Sequence, residues 1–333
     1  MSLNSVIRLL KIIINPMNKT SYAGYGCVSM ISGKQAARRQ VMRLSTSTNI
    51  FFNRPDNKKA DIEDSIRFCS AAGYQVMDMN FYDCTTFSLP FVTDQWETWI
   101  HGIKEYAEAC GIEFSQAHAN FYNFCDPNAE NKEFLDRMVM RSMKCAGILG
   151  VKWIVIHAGT DFDSPSPVKD SKKKNVEYLK PVIEYAARNH VGLAIENLWD
   201  YNIAPLRRYT ATAEELVDLV DTLHEEYDNV GICWDFEHAS IMQQAQRPAL
   251  HMVGKRLKAT HVSDHTGIAN DHLLPFCGYT DWHEIMQILK EIEYQGDFTY
   301  EIHRYTAQLA DALVIPALKY SIEVGNYLLS LTD

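Results

Sequence analysis

Chemistry first shows in Gly231-Ile232-Cys233-Trp234-Asp235-Phe236-Glu237-His238-Ala239-Ser240. An apolar run ends on a carboxylate, and an imidazole follows three residues later. Taken alone, Asp235 would cap the next helix and His238 would be a surface residue. The pattern is repeated, however. Apolar runs also end at His118, at His157, at Glu196-Asn197, at His261 with Asp264 and His265 behind it, and at Glu301 with His303 behind it. Polar groups at the end of a buried strand cost desolvation unless something binds them. Three carboxylates and a histidine make an oxygen-rich donor set. Mn²⁺ is the first expectation, Mg²⁺ and Co²⁺ fit as well, and Zn²⁺ stays open. Two glutamates on separate strands could each face one side of a substrate, one removing a proton and the other returning it. A metal there would polarise a carbonyl and hold an enediolate-like oxygen. The ingredients suit proton transfer α to a carbonyl.

Something must hold these groups on one rim. Apolar runs predict strands at 41–45, 74–79, 112–118, 153–157, 191–196, 230–235, 259–262 and 298–302. They are continuous rather than alternating, as in a parallel sheet covered on both faces. Helical patterns fill the intervals: 61–72, 94–110, 130–149, 175–189, 213–226, 240–253, 281–292 and 308–329. Gly73, Gly111 and Gly150 stand where helices should stop, and Thr212 where one should start. Residues 161–174 read as a polar loop. Eight such units predict a single α/β domain, a (β/α)₈ TIM barrel over 41–333 with an N-terminal extension, 1–40. An open doubly wound sheet is the alternative. It lacks a glycine-rich phosphate loop after the first strand. In a barrel, strand ends share one rim, which makes the polar ends one site.

The composition narrows the partners. The 333 residues are 47% hydrophobic and 22% charged, with net charge −10 and a pI near 5.6. That balance gives no general attraction for nucleic acid or anionic membranes. No apolar run reaches the roughly 18 residues of a membrane helix. The eight cysteines are scattered without a CxxC pair, which suits reduced core thiols and a cytoplasmic protein. Up to Pro55 there is no acidic residue but eight basic ones, Arg8 to Arg54. This opening is read as an arm packing on the barrel or on another subunit, with a presequence as the alternative. Asn197 is expected to hold a neighbouring glutamate or a substrate hydroxyl. Trp199, Phe121, Tyr122 and Phe236 follow strand ends and could stack on a substrate. Asp264 and His265 read as residues that order their loop. Lys172 to Lys174 read as a solvated helix end, with a phosphate site as the sharper idea.

The segments IEN, CWDFEHA, HVSD, HLLPFCGYTDW and YEIH resemble the xylose-isomerase-like barrel superfamily, over about 41–329. That group holds sugar isomerases and epimerases, inosose dehydratases and endonuclease IV. The resemblance implies a single-metal set of Glu196, Asp235, His261 and Glu301, with Glu196 and Glu301 as the acid/base pair. It implies that His238 contacts substrate oxygens. It makes His118 and His157 pocket residues that are extra metal ligands in the endonucleases, and places His272 and His303 at the pocket. The implied activity is a metal-dependent sugar isomerase or epimerase with a small carbohydrate substrate. A keto-polyol dehydratase and a phosphodiesterase are the alternatives. The resemblance also implies a homo-oligomer, with the basic arm suited to that contact. Two departures stand out. Gly267 occupies a position that is often Arg in ketose 3-epimerases. Asn270 and Asp271 break the Asp-x-His of the endonucleases. Phe276, within Pro275-Phe276-Cys277-Gly278, replaces a usual glycine and is expected to line the pocket.

Overall fold

A computed structural model describes residues 42–55, 58–86, 90–199, 207–267 and 270–332. The expected N-terminal extension lies outside the described residues. The strands are β1 (Leu44–Ser47), β2 (Val76–Asn80), β3 (Glu113–His118), β4 (Trp153–His157), β5 (Gly192–Glu196), β6 (Val230–Asp235), β7 (Leu257–His261) and β8 (Phe298–Tyr300). Each pairs in parallel with its neighbour in the order β7-β6-β5-β4-β3-β2-β1-β8. A parallel bridge between Val262 and Tyr300 joins the two remaining edges. Val262 N donates to Thr299 O (2.8 Å), and Glu301 N donates to Val262 O (3.0 Å). The sheet is the expected (β/α)₈ barrel.

The helices that surround it are α1 (Asn49–Phe52), α2 (Ile62–Ala72), α3 (Phe81–Thr86), α4 (Trp96–Ala109), α5 (Lys132–Leu149), α6 (Pro167–Arg188), α7 (Ala213–His224), α8 (Phe236–Ile241), α9 (Gln246–Val253), α10 (Trp282–Glu291) and α11 (Asp311–Ser330). Local chemistry sets their ends. Thr212 caps α7 by accepting from Glu215 N, and Asp281 caps α10 by accepting from Glu284 N. Gly73 and Gly150 end α2 and α5 with φ of 116° and 84°.

Two helices depart from expectation. α6 begins at Pro167, two turns before the expected Asn175. Proline suits the first helical turn, where its missing N–H costs nothing. The helix expected over 240–253 is two, α8 and α9. The break holds Gln243 at φ 54°, while Gln244 Oε1 accepts from Ala213 N.

Alternation along the strands decides what enters the barrel. Ile154, Ile156, Leu193, Ile195, Ile232 and Trp234 face outward and join the main core beneath the helices. Val155, Ala194, Cys233 and Ala259 form a separate small apolar cluster on the inner face. Two residues further along the same strands stand His157, Glu196, Asp235 and His261. The small layer therefore carries the polar layer on its top. Space at the other end is equally constrained. A Cβ at Gly192 would stand 2.4 Å from the Trp153 ring.

Candidate active site

Glu196 is buried, 1% exposed, and ringed by imidazoles. Its Oε1 lies 2.9 Å from His261 Nδ1 and 3.5 Å from His238 Nδ1. Its Oε2 lies 2.9 Å from His157 Nε2 and 3.4 Å from His118 Nε2. Burial pushes this carboxyl up, but His261, His157 and His118 outweigh it and hold it well below the usual carboxylate range. Asp235 and Glu301 behave in the opposite way. Burial, reinforced by the charge of Glu196, pushes both well above that range. Three carboxylates this close cannot all stay charged without a cation between them.

The residues present fit a divalent metal. One ligand atom each from Glu196, Asp235, His261 and Glu301 all lie within 4.8 Å of one another. His261 Nδ1 stands 2.9 Å from Glu196 and 3.4 Å from Glu301 Oε2. Ligands bonded at about 2.1 Å to one ion stand about 3.0–3.5 Å apart, so these spacings suit a shared ion. Asp235 Oδ2 and His238 Nε2 are buried and have no hydrogen-bond partner among the described residues. A second set, His118, Glu196 and His261, shares two of these groups.

The surrounding residues are fixed by the backbone. Asn197 exchanges two bonds with the next strand, Asp235 N donating to its Oδ1 (2.7 Å) and its Nδ2 donating to Asp235 O (2.9 Å). It holds the strand that carries Asp235 and has no hydrogen bond to Glu196. His238 Nδ1 is 2.9 Å from Asn197 O, and Trp199 stacks on the His238 ring at 4.2 Å. His118 Nδ1 is 2.9 Å from Ala119 O. His272 has a left-handed backbone, φ 49°, and its Nδ1 is 2.9 Å from Glu301 O. The His303 ring lies 3.9 Å from that of His272. Burial holds His157 near pKa 4, and His238 and His272 near 3, so all three are neutral.

Other expectations are redirected. Asp264 does order its loop. Its carboxylate accepts from Phe276 N, Gly278 N, Thr280 N and Trp282 Nε1, all at 3.0–3.1 Å. His265 Nε2 lies 2.7 Å from Ser240 Oγ. Asp271 accepts from Thr266 N and Oγ1, within the same loop. Phe276 does not line the pocket. At φ 72° its half-exposed ring is set between His283 and Tyr327 on the outer surface. Phe236 is fully buried among Trp282 and Phe298, since alternation turns it away from the barrel. Tyr122 donates to Asp136 and packs on Tyr178. Lys172 and Lys174 pair with Asp218 and Asp161 at 2.7 Å, and Lys173 is exposed.

Two buried acids escaped the sequence reading. Glu237 lies between Asp235 and His238 and is fully buried. It accepts from Ser263 Oγ and from the backbone N–H groups of Asp271 and His272. It thereby anchors the loop that presents His272. Asp78, on β2, is buried between its register neighbours Ser47 and Gln116. An isolated Asp inside a strand pattern was the available signal.

Comparison with known proteins places this architecture. Residues 66–322 match the xylose isomerase-like TIM barrel family. The chain is 25% identical over 244 residues to a D-psicose 3-epimerase of Enterocloster bolteae, covering 71% of this chain and 75% of that one. It is also 25% identical over 207 residues to the uncharacterized protein y4fM of Sinorhizobium fredii. That match covers 61% of this chain and 63% of the relative, less than two thirds of its length. Among solved structures, the IOLI protein with a binding zinc atom superposes with a TM-score of 0.70 at 19% identity, over 88% of this chain and 99% of that one. The chain belongs to the xylose isomerase-like TIM barrel family.

Proposed function

Taking that membership as the premise, we propose that the protein is a divalent-metal-dependent sugar isomerase or epimerase. It moves a proton on a carbon next to a carbonyl, through an enediolate-like intermediate. One observation carries the reading: Glu196 and Glu301 share one centre, each bringing a ligand atom to within 4.8 Å of those of Asp235 and His261. Two carboxylates from separate strands at one centre suit base and acid roles on a bound substrate.

Glu196, held ionised among four imidazoles, is the group suited to take the proton. Glu301, directly after β8 on the same rim, is the group suited to return one on the other side. Glu196, Asp235, His261 and Glu301 would hold the metal, and a bound ion supplies charge stabilisation for the carbonyl oxygen as it becomes anionic. Mn²⁺ is the proposed ion. Neutral His157, His238 and His272 suit recognition of substrate hydroxyls, since an uncharged imidazole can donate and accept. Trp199, fixed on His238, and His303, against His272, close the sides. The D-psicose 3-epimerase relative supports a small carbohydrate substrate. Gly267 and the inward-facing His272 distinguish this pocket from one built around an arginine.

Product analysis tests this reading. The Mn²⁺-loaded protein is incubated with ketoses, aldoses and keto-inositols, and the products are examined by mass spectrometry and NMR. The expected product has the mass of its substrate and differs at a carbon beside the carbonyl. A product lighter by one water would replace the reading with a dehydratase. Nicking of abasic DNA without sugar turnover would replace it with a phosphodiesterase.

A further inference from the structure

A cleft of about 270 Å³ opens beside the carboxylate centre, lined in part by Tyr82, Phe121, His157, Phe162, Leu198 and Arg208. Its walls differ in kind from the centre. Tyr82 and Phe121 stack at 4.3 Å with 15° between their planes, and Phe121 lies 3.7 Å from the His157 ring. His157 in turn touches Glu196 at 2.9 Å. An aromatic face thus runs unbroken from a buried site histidine to Tyr82, which is 38% exposed. The opposite wall leads back to the same place. The Arg208 guanidinium lies 4.4 Å over Trp199, and Trp199 stacks on His238.

The cleft is also held in shape. Asn123 and Thr160 exchange side-chain-to-backbone bonds of 2.9 and 2.8 Å, and Thr160 Oγ1 accepts from Tyr209 N. A preformed wall loses little freedom on binding. The centre offers imidazoles and carboxylates, which suit carbonyl and hydroxyl oxygens. The cleft offers flat apolar faces with a guanidinium at one edge, which suit the C–H face of a ring and its outward hydroxyls. The aromatic face starts beside the carboxylate centre and continues to half-exposed Tyr82, where a group extending from the reacting sugar could lie.

We infer that the substrate carries a second sugar ring in glycosidic linkage, and that this ring lies on the Tyr82–Phe121 face between His157 and Arg208. The inference rests on the proton-transfer reading of the adjoining centre, and binding separates the two. The probes are D-fructose and lactulose, a galactosyl-fructose, titrated calorimetrically into Mn²⁺-saturated protein whose metal content is verified. Lactulose is expected to bind at least about tenfold more tightly than D-fructose. Tyr82→Ala, at a half-exposed position on α3, is expected to remove about tenfold from lactulose affinity and to leave D-fructose within about twofold. Phe162→Ala should repeat that selectivity. Equal affinity for the two sugars, no binding of either, or equal weakening of both by Tyr82→Ala would overturn the subsite. Deuterium exchange at C3 of the same sugars reports separately. A lactulose preference in binding without exchange defeats the proton-transfer reading and keeps the subsite. Exchange on D-fructose without that preference does the reverse.

Discussion

The same eight strands carry charge at both ends and treat it differently. At the N-terminal mouth, Arg43 is 36% exposed and pairs with Asp297 at 2.9 Å and Glu113 at 2.8 Å. Lys152, Lys255 and Lys258 line the same opening. These charges remain in contact with water, where an ion pair is worth little but costs little. At the C-terminal rim, Glu196, Asp235 and His261 are at most 1% exposed, and the ion-pair partners of Glu196 are all histidines. Desolvated carboxylates facing titratable imidazoles, with no permanent cation, are a poor arrangement for stability. It is a good one for a site in which a metal and a substrate supply the missing partners. The contrast separates charge kept for solubility from charge kept for chemistry.

The largest expected effect lies at the rim. Glu196→Gln and Glu301→Gln should each lower α-proton exchange by at least about 1000-fold, with circular dichroism and melting temperature preserved. Full turnover in either variant would remove the acid/base assignment. Next come the groups proposed as ligands only. Asp235→Asn and His261→Ala should weaken Mn²⁺ binding by at least about 100-fold in a direct titration. Undiminished affinity would move the ion elsewhere.

A smaller effect concerns the neutral histidines. His272 is held near pKa 3 by burial, against about 6.5 in an unfolded chain. Below pH 6.5 the unfolded chain therefore binds a proton that the folded protein does not. The stability associated with this neutral ring is fully present above pH 6.5 and is lost as pH falls. In chemical denaturation, wild type should lose about 1.4 kcal/mol per pH unit relative to His272→Asn between about pH 6.5 and 4.5. A pH-independent difference would mean that His272 charges freely. The smallest effect belongs to the other end. Arg43→Met should cost no more than about 1 kcal/mol of stability and leave exchange rates unchanged. Loss of exchange in that variant would break the distinction between the ends.

Much of this was readable from the chain. β4 and β6 run over the expected residues, because their apolar stretches are bounded by clear polar ends. The four groups proposed as ligands were singled out for the same reason, since Glu196, Asp235 and His261 close β5, β6 and β7 and Glu301 follows β8 directly. What failed depended on partners distant in sequence. The first two turns of α6 are polar, and apolar spacing begins too late to reveal them. Phe236 was expected near substrate because it follows a strand end, and Phe276 because it replaces a usual glycine in its turn. Both rings turn away from the barrel mouth. Glu237 stayed hidden between two stronger signals. Its importance appears only when the loop after β7 folds back to donate to it.

The most direct test follows a substrate proton. The protein is loaded with Mn²⁺ and incubated in D₂O with a panel of ketoses and keto-polyols, and deuterium is located by NMR. The account predicts incorporation at a carbon beside the carbonyl, abolished by EDTA and restored by Mn²⁺. Stoichiometric metal bound to the protein with no exchange on any member of the panel would contradict it.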